Sequence, residues 1–204
     1  ILIGGDFNAV RGRHLPGVAR LNPDGTLDPS FRPGVGVDGL VQNIGIDSDG
    51  RILLAGAFAA VQGAVRTSLA RLLPDGSLDL SFAPAVSQLD GTPGSLSRVI
   101  PLPNGQVLIG GHFRSLNGSS KNYFARLNSD GSPDLYFDTQ ILIQGKDVLN
   151  PSRILTGQNP TVEAAAPQPD GKIVLGGYVT WDGLARGYVM RLSVEGQIRR
   201  AIAV

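Results

Sequence analysis

The sequence predicts an all-β fold, a β-propeller built of four-stranded antiparallel blades, on three observations. A strand phrase of the type Ile-Leu-Ile-Gly-Gly-Asp-Phe occurs four times, at Ile1–Phe7, Ile52–Phe58, Val107–Phe113 and Ile173–Val179. A second phrase follows each copy, at Val18–Phe31, Leu69–Phe82, Phe124–Phe137 and Val189–Ile202. Asp-Gly or Asn-Gly pairs punctuate the apolar runs, as at Asp24-Gly25, Asp49-Gly50, Asp75-Gly76 and Asn104-Gly105. The Gly-Gly positions lie 51, 55 and 66 residues apart, and units of that length made of short strands are blades rather than the helix pairs of a solenoid.

The repeats run approximately over 1–39, 40–95, 96–160 and 161–204. They form a single domain, or a fragment of a larger propeller. The first lacks a counterpart of Val41–Ile46, and the chain opens on Ile1 in mid-strand, so the expectation is a window from a longer or processed polypeptide.

The second repeat shows the elements best. Its strand candidates are Val41–Ile46, Arg51–Phe58, Ser68–Leu73 and Ser77–Phe82. Ile52-Leu53-Leu54-Ala55 and Val107-Leu108-Ile109-Gly110 are apolar without alternation, as expected of strands buried on both faces. That is the situation of a blade held between two others. The strand glycines need something packed close, and crowding of blades supplies it. The Phe that ends each second phrase reads as an aromatic plug between blades.

Turn chemistry fixes the register. Asn22-Pro23-Asp24-Gly25 suits a type I turn followed by a left-handed glycine, a three-residue hairpin loop. That loop sets Arg20 opposite Asp28, and the same count sets Arg71 opposite Asp79 and Arg126 opposite Asp134. Three cross-strand ion pairs are expected. In the last repeat the count puts Arg199 opposite Arg191, so the pair is lost there.

Composition bounds the chemistry. The chain has 204 residues, 42% hydrophobic and 17% charged, enough apolar material for a core. A net charge of +1 gives no indication of a strongly basic face, so on bulk charge nucleic acid is not an expected partner. With no cysteine there is no disulfide and no thiolate metal site. No apolar run approaches the roughly 20 residues a membrane-spanning helix needs. His14 and His112 stand at non-equivalent positions and read as surface residues. Asn22–Asp28 has some of the acidic spacing of a calcium loop, but turn chemistry and the Arg20 pair account for its carboxylates. No metal or other cofactor is expected. Gly4-Gly5-Asp6-Phe7 shares its letters with the signature of diguanylate cyclases, yet its recurrence as AGAF, GGHF and GGYV marks a degenerate strand phrase.

Asp170–Gly177 and Ala19–Phe31 resemble the repeat of the bacterial delta-60 β-propeller family, which reads DGKILIGGDF and then ARLNPDGSLDxSF. The likeness extends over nearly the whole chain. It departs at Ala55, at Val179 and over Gln197–Ile202. The resemblance implies a repeat module of large bacterial secreted or surface proteins, an extracellular or cell-surface location, and no catalytic residues to carry over.

The connections that leave each Phe lengthen along the chain: Arg32–Gly39, Ala83–Ser95 and Asp138–Pro160. Insertions gathered on one face of a repeat protein often form its binding face. The expected function is therefore a non-enzymatic module that binds a protein or a surface polysaccharide through this face. Ile141, Leu142 and Ile143 are the expected contacts, with Trp181 beside Tyr178 and Tyr188 as a possible sugar platform. The alternative is a structural block that assembles through unpaired edge strands such as Ile1–Phe7. A propeller enzyme or lectin ranks behind both, because no cluster of acid, base and nucleophile stands out.

Overall fold

The computed structural model describes residues 1–121, 123–137, 161–181 and 184–203. All of their regular structure is strand, in antiparallel sheets. The first repeat contains β1 (Leu2–Gly4), β2 (Ala9–Val10), β3 (Arg13–His14) and β4 (Val18–Arg20). The second contains β5 (Val37–Ile46), β6 (Ile52–Val61), β7 (Ala64–Val65) and β8 (Leu69–Leu72). The third runs β9 (Val86–Ser87), β10 (Ser95–Pro101), β11 (Val107–His112), β12 (Ser115–Leu116), β13 (Ser119–Ser120) and β14 (Phe124–Leu127). The fourth is a four-stranded meander of β15 (Thr161–Pro167), β16 (Ile173–Trp181), β17 (Leu184–Leu192) and β18 (Ile198–Ala203).

The Gly-Gly strands are buried on both faces. Ile52 and Leu54 of β6 join a core with Val18, Phe31 and Val41, whereas Leu53 and Ala55 join a second core with Leu96, Val107 and Ile109. Leu108 turns the other way, into a third core with Val162 and Met190. Successive side chains on one strand thus serve different blade interfaces, which follows from the two-residue period. Phe31, Phe82 and Phe137 each lie in a separate core, as plugs between blades.

The glycine pair has two distinct jobs. A Cβ on the first glycine would strike the neighbouring blade: Gly4 faces Val41 Cγ1 at 2.7 Å and Gly110 faces Val162 Cγ1 at 2.9 Å. A Cβ on the second would strike backbone within its own blade: Gly56 faces the Leu40 carbonyl at 2.0 Å and Gly111 the Ser95 carbonyl at 2.3 Å. Those carbonyls sit beside a β-bulge. The register of β5 on β6 shifts between Val41 and Asn43, that of β10 on β11 between Leu96 and Arg98, and that of β15 on β16 between Val162 and Ala164. The bulged strand leans onto its partner, and only glycine leaves room.

Three expectations are corrected. Ser77–Phe82 is not a full strand. It makes one bridge, Leu72 to Leu78, and then turns, with the Phe82 amide donating to the Asp79 carbonyl at 3.4 Å. The cause is local: Asp79 Oδ1 accepts from the Ser81 amide and hydroxyl, an Asx turn that competes with a ladder. The last repeat has no aspartate at the equivalent place, and there β18 pairs fully with β17. Second, Arg191 stands opposite Arg200 rather than Arg199, because a register shift separates Leu192–Ile198 from that pair. Third, the connections are not simple loops. Residues from Val37 already belong to β5, and Val86–Ser87 pair with β12.

In the first three repeats a hairpin follows the Gly-Gly strand, between the two recurring phrases. Its tips are Arg11-Gly12, Gln62-Gly63 and Asn117-Gly118, and both residues have positive φ in each (49° and 76°, 52° and 78°, 50° and 77°). That is the type I′ two-residue turn, whose twist matches an antiparallel pair. The signal was a glycine seven residues after the second strand glycine, at Gly12, Gly63 and Gly118.

Candidate functional site

The recurring polar residues build a joint between blades. Arg20 Nε meets Asp28 Oδ2 at 2.8 Å, Arg71 Nε meets Asp79 Oδ2 at 2.7 Å, and Arg126 Nε meets Asp134 Oδ2 at 2.8 Å. Each guanidinium also lies over the Phe that ends its phrase, 4.8, 4.3 and 4.5 Å from the ring centres of Phe31, Phe82 and Phe137. Nη1 of each crosses to the next blade. Arg20 Nη1 donates to the Pro74 carbonyl at 2.6 Å, Arg71 to Ser129 at 2.7 Å and Arg126 to Val194 at 2.8 Å. All three acceptors hold the same place in the outer turn of the following repeat. The glycine of that turn touches the preceding plug: a Cβ on Gly76 would lie 2.8 Å from the Phe31 ring, and one on Gly131 3.2 Å from Phe82. A planar guanidinium suits this work because it can pair, stack and donate across in one plane.

The carboxylates of these phrases are held ionised. The Ser30 hydroxyl and amide, with Arg20, keep Asp28 below the usual carboxylate range. Burial opposes the charge on Asp79, but the Ser81 hydroxyl and Arg71 outweigh it and lower its pKa. Asp134 behaves likewise: burial raises it, and Arg126 with the Tyr136 amide lowers it further. In the outer turns the hydroxyls and amides of Thr26, Ser77 and Ser132 lower Asp24, Asp75 and Asp130. A general acid needs the opposite shift. Among the described residues no three His, Cys, Asp or Glu side chains gather as a metal site would require. No described helix is long and apolar enough to cross a membrane.

Of the expected contact residues, Ile141, Leu142 and Ile143 lie outside the described residues. The backbone of Trp181 pairs with Leu184 at the end of β16, and its side chain also lies outside the description. Tyr178 is exposed on the same strand. His112 is exposed, with Nδ1 3.0 Å from Gln88 Nε2, and His14 is exposed in β3.

Each I′ hairpin folds back over the outer turn of its own repeat. Gln62 Nε2 donates to the Gly76 carbonyl at 2.6 Å and its Oε1 accepts from the Leu78 amide at 3.1 Å; Asn117 Nδ2 donates to Gly131 at 3.2 Å. Arg11 stands in the corresponding place beside Gly25. Between hairpin and phrase a crevice opens. In the first repeat it encloses about 340 Å³, lined by Arg13, His14, Leu15, Pro29, Arg32 and Pro33, with the Arg20–Asp28 pair in its wall. In the third repeat a crevice of about 510 Å³ uses Ser119, Pro133, Asp134 and Leu135, the counterparts of Arg13, Leu27, Asp28 and Pro29. The shape belongs to the scaffold, and the charge belongs to the first repeat.

No curated protein matches the chain. A family model described as "Domain of unknown function (DUF5122) beta-propeller" matches residues 1–31, 48–82, 102–137 and 168–198. These segments hold the Gly-Gly strands, the outer turns and the joint residues Arg20, Arg71 and Arg126. A match of this extent, in four segments along the chain, makes the chain a member of that β-propeller family.

Proposed function

We propose that the chain is a non-enzymatic binding module, of the delta-60 repeat type, in a secreted or cell-surface bacterial protein. The observation that carries this is the use of the repeated charges. The same Arg, Asp and Phe close the same joint in three repeats, and the joint carboxylates are held ionised by their turns. A constant frame leaves recognition to what varies between repeats. The variable parts are the connections over 32–39, 83–95 and 138–160 and the hairpins packed against them. Gln62 donates its amide to the Gly36 carbonyl and Asn117 donates to Ala85, so connection and hairpin form one surface. Ile141–Ile143 and Trp181 remain the proposed contacts with a protein or polysaccharide.

The test is a binding screen of the 204-residue chain against bacterial polysaccharides and surface proteins, with product analysis of every ligand found. Saturable binding without turnover, weakened by deletion of Gln144–Gly157, is the expected result. Turnover of a bound ligand would overturn the non-enzymatic reading, and so would the absence of any saturable ligand.

A second reading, a structural block, is favoured by one observation. The turn Asn22–Gly25 has the form that receives an arginine and a plug in the second and third repeats, and among the described residues only Arg11 approaches Gly25. A turn of that form would accept a further Arg-Asp-Phe repeat. Sedimentation and small-angle scattering test this reading, which requires association beyond a monomer in the full-length polypeptide.

A further inference from the structure

We infer that the crevice of the first repeat is a binding site for a small organic carboxylate with an apolar body. This rests on the binding-module reading above and names one site and ligand class within it. The comparison among repeats makes the argument. At the positions of Arg13, His14 and Arg32 the second repeat has Ala64, Val65 and Ala83, and its joint closes equally well. The third repeat has Ser119 and Ser120 at the first two. The scaffold therefore has no need of positive charge there.

The charges are also unspent. Arg13 and Arg32 form no ion pair closer than 4 Å among the described residues, and both are exposed at the crevice. The acid in the wall, Asp28, is already held by Arg20 and by Ser30. Asp75 is a further acid within the field of Arg32. Arg32 contributes to its ionisation, but the carboxylate is engaged by the Ser77 hydroxyl at 2.7 Å and amide at 2.9 Å. Guanidinium groups whose neighbouring acids are already engaged by other partners keep positive potential to spare, and an incoming anion would meet it.

The walls set the rest of the ligand. Leu15, Pro29 and Pro33 offer apolar surface beside the guanidinium groups. A volume of about 340 Å³ lies at the small end of ligand pockets. A planar guanidinium matches a carboxylate in a two-pronged contact, and the apolar rim matches a ring or short alkyl body.

The experiment is a heteronuclear NMR titration of the whole chain with benzoate, with its neutral analogue benzamide, and with sulfate. Benzoate is expected to shift the amides of Arg13, His14 and Arg32 saturably. Benzamide should bind about tenfold or more weakly, the size of effect one charge-assisted contact supplies. The Arg13→Ala/Arg32→Ala variant, folded by its unchanged spectrum elsewhere, should lose benzoate binding about tenfold, while Arg114→Ala should not. Equal binding of benzamide would overturn the proposal. Sulfate binding as well as benzoate on the same amides would mean an adventitious ion only. No shift at these residues would overturn it too, and if a macromolecular ligand still bound, the module reading would stand while this site fell.

Discussion

Arg71 Nη1 reaches the Ser129 carbonyl at 2.7 Å, so one side chain fastens the second blade to the third. The same guanidinium pairs with Asp79 and covers Phe82, and arginine and aspartate are only 4% and 8% exposed. Arg20 makes the equivalent contacts in a wetter setting, with 24% of its side chain open. Truncation should therefore cost different amounts at equivalent positions. Arg71→Met strands a buried carboxylate and a carbonyl, and should cost about 3–5 kcal/mol. Arg20→Met should cost roughly 1 kcal/mol. Chemical denaturation of the two variants measures the difference, and equal losses would mean that burial does not govern the joint.

Acid should loosen these joints in a defined window. Asp28, Asp79 and Asp134 all have folded pKa values below that of an ordinary aspartate. As pH falls the unfolded chain takes up protons first, so stability is lost on going down through the folded values and is fully present above the unfolded one. Thermal midpoints should be level from about pH 7 to 5 and fall below roughly pH 4. Asp79→Asn should lower the midpoint at neutral pH and flatten its acid limb.

Gly56 and Gly63 should answer differently to alanine. At Gly56 the new Cβ meets the Leu40 carbonyl at 2.0 Å, and backbone on both sides must move. A loss of about 2–4 kcal/mol is expected, in the range of strain at an overfilled site. At Gly63 nothing lies within 4 Å, and φ of 78° is the sole obstacle. About 1 kcal/mol is expected there. Urea midpoints of the two variants decide whether close approach or backbone conformation dominates.

Gln62 tests the hairpin clasp. Gln62→Ala frees the Gly76 carbonyl and the Leu78 amide, which are only partly buried, so a loss of about 1–2 kcal/mol is expected. Amide exchange at Leu78 should speed up in the variant, and unchanged exchange would mean that the hairpin is held by packing alone.

Local chemistry was legible wherever neighbours in sequence do the work. Asp-Gly turns placed the hairpins, and the three-residue loop placed Arg20 against Asp28, because a turn fixes register without distant help. The fourth strand was misread because Asp79 and Ser81 satisfy backbone groups locally and end the ladder after Leu78. The I′ hairpins do not stand out in the sequence because their tips share only the glycine: Arg11-Gly12 and Gln62-Gly63 lack the Asn-Gly or Asp-Gly letters, and Asn117-Gly118 carries them in a single repeat. The charged crevice joins Arg13 and His14 to Arg32 across a fold-back, a distance no motif spans.

By itself the sequence determined the β class, the repeat count, the outer turns and the pairing of each arginine with its aspartate, since all of these follow from periodicity and short-range turn geometry. The tertiary structure decided what the strand glycines face, where Nη1 of each joint arginine goes, and which cations share a crevice. Gly56 meets a bulge in its neighbouring strand, Arg71 meets the turn of another blade, and Arg13 comes to line one crevice with Arg32 only after the hairpin folds over. Each brings together residues whose separation along the chain carries no spatial information until the blades are packed.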